Sequence, residues 1–194
     1  NKLYLVNYEN DDAVVATNNT DRLTVTGTDI TANTGNIVFG TASKGVYLGV
    51  TSATASNLLD DYEEGSFTPQ YRGSAGSAGS LAYTDQTARY TKIGRVVNVQ
   101  IRLVLSNKGG FSSGGQIEIY GLPFSVTNVG APPPASVELR KVTLSEHTAY
   151  ASFSDGNTFA ILKLMESENN PTIITHNSAA NDSVFIINGS YISE

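Results

Sequence analysis

The chain of 194 residues contains no cysteine, no tryptophan and a single methionine. Without cysteine there is no disulfide, no iron–sulfur cluster, no thiolate zinc site and no cysteine nucleophile. Charge is also scarce. Lys, Arg, Asp and Glu make up 15% of the residues, against roughly 25% in an average soluble domain. The balance is acidic, 12 basic residues against 18 acidic, for a net charge of −6. A sequence-independent nucleic-acid binder needs a basic stripe that displaces phosphate counterions, so the acidic balance argues against that class. Docking on anionic lipid fails for the same reason. No run approaches the ~18 apolar residues of a membrane-spanning helix, and membrane insertion is not expected. No charged-then-apolar leader opens the chain. Residue 1 is Asn rather than Met, so the sequence reads as a piece of something longer.

The space left by charge is filled by 20 Ser, 20 Thr and 17 Asn, with 18 Gly and 10 Tyr. Thr and Tyr suit pleated strands, and Asn, Gly and Ser suit tight turns. The composition points to an all-β protein of the extracellular or viral-surface kind. In residues 1–56, short apolar pairs such as Leu23/Val25, Ile37/Phe39 and Val46/Leu48 are cut by Gly27, Gly35, Gly40, Gly45 and Gly49. Strands this short bury too little apolar surface by themselves. Two readings fit, a disordered tether or a slender β-stalk completed by other copies of the chain, and the regular apolar pairs favour the stalk. Residues 57–65 hold the densest acidic stretch, with Asp60, Asp61, Glu63 and Glu64. They read as a junction, a kinked linker or one helical turn.

From residue 66 to 194 the strands lengthen into an antiparallel β-sandwich head of the jelly-roll kind. Val97, Val99, Ile101, Leu103 and Leu105 alternate with polar neighbours and predict one half-buried strand. Gly94-Arg95 before it suits a two-residue type II′ hairpin. The run 72–80, rich in Gly and Ser, reads as a flexible loop. The apolar phase slips by one across Arg140-Lys141, which predicts a β-bulge. Three prolines in 131–135 argue against a central strand there. Thr148–Ser154 and Thr158–Met165 predict a hairpin turning at Asp155-Gly156-Asn157.

Four segments in succession carry a resemblance. They are Gly35-Asn36-Ile37-Val38-Phe39-Gly40-Thr41-Ala42-Ser43-Lys44-Gly45-Val46, then Leu58-Leu59-Asp60-Asp61-Tyr62-Glu63-Glu64-Gly65-Ser66-Phe67-Thr68-Pro69. Arg89-Tyr90-Thr91-Lys92-Ile93-Gly94-Arg95-Val96-Val97 and Ile117-Glu118-Ile119-Tyr120-Gly121-Leu122-Pro123-Phe124 follow. Their order and spacing, over about residues 33–125, resemble the C-terminal region of tail fibres and receptor-binding proteins of tailed bacteriophages, marine phages among them. The resemblance implies a homotrimeric fibre end on the virion. The rest of the fibre would lie on its N-terminal side, and a head would attach to a bacterial surface receptor. That receptor would be lipopolysaccharide or another glycan, or an outer-membrane protein.

The residues supply no catalytic set. His147 and His176 are the two histidines, and no Gly-x-Ser-x-Gly elbow accompanies them. No paired spacing of metal ligands occurs, and Asp11-Asp12 and Asp60-Asp61 lack the ligand ladder of a calcium loop. No cofactor, metal or enzymatic activity is expected. A polysaccharide depolymerase would need two carboxylates facing one substrate. It stands as the alternative, beside a purely structural trimeric spike. Sugar recognition fits better, since aromatic faces stack on pyranose rings while amides and hydroxyls take the sugar hydroxyls. The candidates are aromatic and polar groups placed in loops: Phe111, Tyr150, Asp155, Asn157, Phe159, His176, Asn177 and Tyr191.

Overall fold

A computed structural model describes residues 12–112, 114–128, 130, 133–144, 148–165 and 171–194. His147 lies outside the described residues. The chain divides into two compact units at Gly45/Val46, rather than at residue 56.

The first unit holds a three-stranded antiparallel meander, β1 (Ala13–Thr17), β2 (Thr20–Val25) and β3 (Ile30–Ala32). Asn18 and Asn19 both take positive φ in the turn between β1 and β2. That is the type I′ signature that Asn tolerates. The meander has no interior. From Asp12 to Thr68, across the boundary, not one described residue is buried, and Val14, Val15 and Ile30 are exposed.

The second unit begins with a two-strand ribbon, β4 (Val46–Tyr47) on β5 (Leu58–Leu59), with a 3-10 turn at Ala55–Asn57 between them. The acidic stretch that follows is extended rather than helical. It runs into β6 (Tyr62–Phe67). Next come β7 (Gln70–Gly73), β8 (Gly76–Ser77), β9 (Ala82–Ile93), β10 (Val96–Asn107), β11 (Gly110–Phe111) and β12 (Ile117–Tyr120). The remainder is β13 (Pro134–Val142), β14 (Thr148–Phe153), β15 (Phe159–Met165), β16 (Thr172–Ile173) and β17 (Ala179–Ile192).

Ten of these strands form one antiparallel sheet. Its path is β6-β9-β10-β17-β13-β14-β15-β12-β7, with β16 attached to β15. The two ends of that path, β6 and β7, are joined by Thr68-Pro69 alone. Eight strand spacings in a flat sheet would put them about 38 Å apart. The three peptide links from Phe67 to Gln70 reach at most about 11 Å. The sheet therefore curls until its edges meet. Hydrogen bonds fasten the seam: the Tyr71 N–H donates to Tyr83 Oη at 3.0 Å, Tyr83 Oη donates to the Tyr71 carbonyl at 3.4 Å, and Gln86 Nε2 donates to the Pro69 carbonyl at 2.6 Å. Gly121 sits at the same seam with φ +93°, and a Cβ there would stand 2.7 Å from the Thr68 carbonyl. Only glycine fits that position.

The curled sheet encloses a single core. Val97, Val99, Ile101, Leu103 and Leu105 all face inward and are at most 2% exposed, as their alternation predicts. Phe185, Ile187 and Tyr191 of β17, Ile117 and Ile119 of β12, and Phe153 and Leu162 complete it. Each such side chain contributes roughly 1.5–3 kcal/mol by leaving water.

Other expectations meet the same test. In the Gly94-Arg95 turn only the first residue has positive φ (+56°), the type II′ pattern. The bulge is at Arg140/Val142, with Lys141 at φ +54°. The Gly/Ser run is not a free loop, because β8 inside it pairs with β11. Pro134 does enter a strand: β13 lies between β17 and β14, and proline is tolerated there as its first residue.

Candidate functional site

The eight residues singled out from the sequence do not converge. Tyr191 is 1% exposed. Its hydroxyl donates to the Phe124 carbonyl at 3.0 Å, and its ring packs on Phe153. Burial pushes its phenol up to about 12. It is a core residue, and the reason lies in parity: Phe185, Ile187, Gly189 and Tyr191 share the inner face of β17. His176 is likewise internal, 2% exposed, with Nδ1 2.7 Å from the Tyr71 hydroxyl. Phe111 is half-buried and lies edge-on against His176, with ring centroids 5.5 Å apart. These three belong to the packing. Asn177, next to His176, is exposed.

Asp155 and Asn157 organise the β14–β15 turn. Asn157 Nδ2 donates to Ser154 Oγ and to the Asp155 carbonyl, and Asp155 Oδ2 accepts from the Gly130 N–H at 3.0 Å. Asp155 Oδ1 is shielded from solvent and has no partner among the described residues. Phe159 stacks on Tyr120 at 4.6 Å and 22°, and the Arg72 guanidinium lies 4.6 Å over the Tyr120 ring. Burial, then the nearby Glu118 carboxylate, raises the Tyr120 phenol. Tyr150 stands on the outer face of β14, level with Ser136 on one side and Lys163 on the other.

The acidic junction is bonded within its own unit. Asp61 pairs with Lys92, the Tyr90 hydroxyl donates to Glu63, and the Tyr62 hydroxyl donates to Glu64 at 3.1 Å. Among the described residues no group of three His, Asp or Glu side chains could hold a metal.

The larger concave surfaces lie elsewhere, on the outer face of the sheet where β6, β9, β10 and β17 run side by side. One depression of about 710 Å³ and a neighbour of about 550 Å³ share Ser66, Arg89 and Gln100. Registration across the strands arranges this face in rows. Tyr62, Ile93, Val96 and Ile192 form the first. Glu64, Thr91, Asn98 and Ser190 form the second, and Ser66, Arg89, Gln100 and Asn188 the third. The first row is apolar, and its members are between 38% and 61% exposed. The next two are wholly polar. Sequence reasoning missed this face because its members come from four strands spread over 130 positions. The one local signal was the polar phase of β10, Asn98 and Gln100, opposite its apolar phase.

No known protein-family profile matches the chain, and no curated protein matches it. Among solved structures, the fold is similar to that of the Dettilon tailspike protein, with a TM-score of 0.57 and 18% identity over 69% of this chain. The chain spans 24% of that protein's length. At this identity the likeness concerns the fold alone, an all-β architecture.

Proposed function

We propose that the chain is the tip of a phage tail fibre or tailspike. In this reading it is a homotrimer on the virion that attaches to a bacterial surface receptor, a glycan, without cleaving it. The observation that carries the reading is the fold shared with a tailspike protein. A second observation supports the assembly. Residues 12–68 form six complete strands without burying one side chain. Val14, Val15, Ile30, Ile37, Val38, Val46 and Leu48 are all exposed there. Apolar exposure on this scale marks surfaces that another chain covers. In a symmetric trimer the covering chains are copies of the same segment, and the head need not be the only source of stability. Three linked heads also raise the avidity of weak single sites, by roughly 10²–10⁴.

The test is twofold. Light scattering should give three times the 20.6-kDa chain mass, and the purified protein should block adsorption of the phage that carries it. A stable monomer that fails to compete overturns the reading. Release of oligosaccharide from host capsule or lipopolysaccharide would replace attachment with depolymerisation.

A further inference from the structure

We propose that the outer face of β6, β9, β10 and β17 is a saccharide site, and that it takes an acidic sugar whose carboxylate is held by Arg89. The inference rests on the attachment reading and gives it a location and a ligand charge.

Some polar groups on this face are already used. One row toward the far end, Arg102 donates to Asp85 at 2.6 Å and is neutralised. Arg89, Gln100 and Asn98 are different. Among the described residues their side chains make no hydrogen bond and no ion pair. All three are exposed; Arg89 and Gln100 line both depressions, and Asn98 lines the smaller one. A guanidinium without a carboxylate, on a chain of net charge −6, is an unmatched cation in an acidic setting. Its planar fork fits a carboxylate in bidentate fashion.

Around Arg89 the chemistry is that of a hydroxyl-rich ligand. Gln100 and Asn188 continue its row at strand spacings of about 4.8 Å, close to the advance of one linked pyranose unit. Each carboxamide offers both a donor and an acceptor. Glu64 faces the same depression, where it accepts hydroxyls and repels a second carboxylate. The ligand's acidic group is thereby directed to the Arg89 side. The two polar rows carry no apolar side chain, so they offer little to a second protein copy. The neighbouring row of Tyr62, Ile93, Val96 and Ile192 is what such a copy would cover. An unmatched cation flanked by carboxamides selects a charged saccharide over a protein surface.

The experiment uses the intact assembly on an array printed with carboxylated saccharides (uronic and nonulosonic acids) and with neutral oligosaccharides. Binding should concentrate on the carboxylated set, and methyl esterification of the carboxylate should weaken it about tenfold or more, as loss of one charge-assisted contact does. Arg89→Gln should produce the same loss, while Asn98→Ala and Gln100→Ala produce smaller ones. The Arg89 side chain makes no bond among the described residues, so Arg89→Gln should keep the melting temperature and the oligomeric state. Binding to neutral sugars alone, binding unchanged in Arg89→Gln, or no binding at all overturns the proposal. So does dissociation of the assembly by Arg89→Gln, which would make this face an interface between copies. If Arg89→Gln still blocks phage adsorption as well as the wild type, attachment stands and this site falls.

Discussion

The Tyr71 hydroxyl and His176 Nδ1 lie 2.7 Å apart, although 105 positions separate them in the chain. Tyr71 enters the core from β7 and His176 from the short 3-10 turn before β17. Both are nearly free of solvent contact, at 0% and 2% exposure. Burial lowers the histidine below its ordinary value, and the Lys108 charge adds to the effect. Burial also raises the Tyr71 phenol well above its usual range. The pair is therefore neutral on both sides at physiological pH.

A pH dependence of stability follows. The unfolded chain protonates His176 near 6.5, and the folded chain only at lower pH. Between those values the unfolded state binds more protons, so stability falls as pH is lowered through that window. Thermal melts from pH 7.5 to 5 should show a decline in melting temperature. His176→Phe should flatten the part of that decline that begins near 6.5. An unchanged slope in His176→Phe would assign the decline to other groups.

Removing the partner should be costly at neutral pH. Tyr71→Phe leaves the buried imidazole nitrogen without its hydrogen bond, at about 1–3 kcal/mol. Urea denaturation should show the midpoint falling while the slope stays constant.

Lys92 supplies a second internal contact. Its side chain is 11% exposed, pairs with Asp61 and lies 5.3 Å from the centre of the Phe124 ring. Asp61 itself is half exposed, so the pair is partly screened. Asp61→Ala should cost about 2 kcal/mol, mostly from stranding the ammonium group. In a Lys92→Met background the same substitution should cost close to nothing. A double-mutant cycle measures the difference.

Close packing gives a third expectation. A Cβ on Gly189 would stand 2.5 Å from the Ala135 Cβ and 3.2 Å from the Phe153 ring. Gly189→Ala must push β13 and β17 apart, at about 1–3 kcal/mol. Calorimetry should show a lower melting temperature. Ala135→Gly in the same chain should restore part of it by vacating the methyl position.

The apolar row on the outer face tests the assembly. Ile93 and Val96 are 48% and 41% exposed and make no part of the core. Ile93→Glu with Val96→Glu should leave the folded head intact by circular dichroism and shift sedimentation toward the monomer. A sedimentation coefficient equal to that of the wild type would remove this row from the interface.

The sequence made local features legible where one strand or turn decides them. The alternation from Val97 to Leu105 places five core residues, the Gly94-Arg95 pair specifies its turn, and the slip at Arg140-Lys141 marks the bulge. Features set by pairing between distant strands were not legible. His176 looks like a loop residue until Tyr71 and Phe111 close over it. Tyr191 reads as a C-terminal surface aromatic until the inner parity of β17 is carried four residues past Ile187, through Gly189. Arg89, Gln100 and Asn188 become a row only through two registrations, one across a tight hairpin and one spanning 88 positions. Short-range periodicity says which face a residue takes within its own strand, and nothing about its neighbours on the next.

The position of β17 also sets a timetable. Residues 179–192 occupy the slot between β10 and β13, and the path from β6 to β13 is continuous only through them. During synthesis, the hairpin of β9 and β10 can form early, since its turn is two residues long. The sheet cannot curl shut until β17 emerges and inserts between strands made long before. Until then Val97, Ile101 and Leu103 have no cover, and two strand edges stand open side by side. Closure of the sheet therefore waits on long-range loop closure, which makes for slow folding. Nascent chains of this design gain most from holding the unfinished edges apart until β17 arrives.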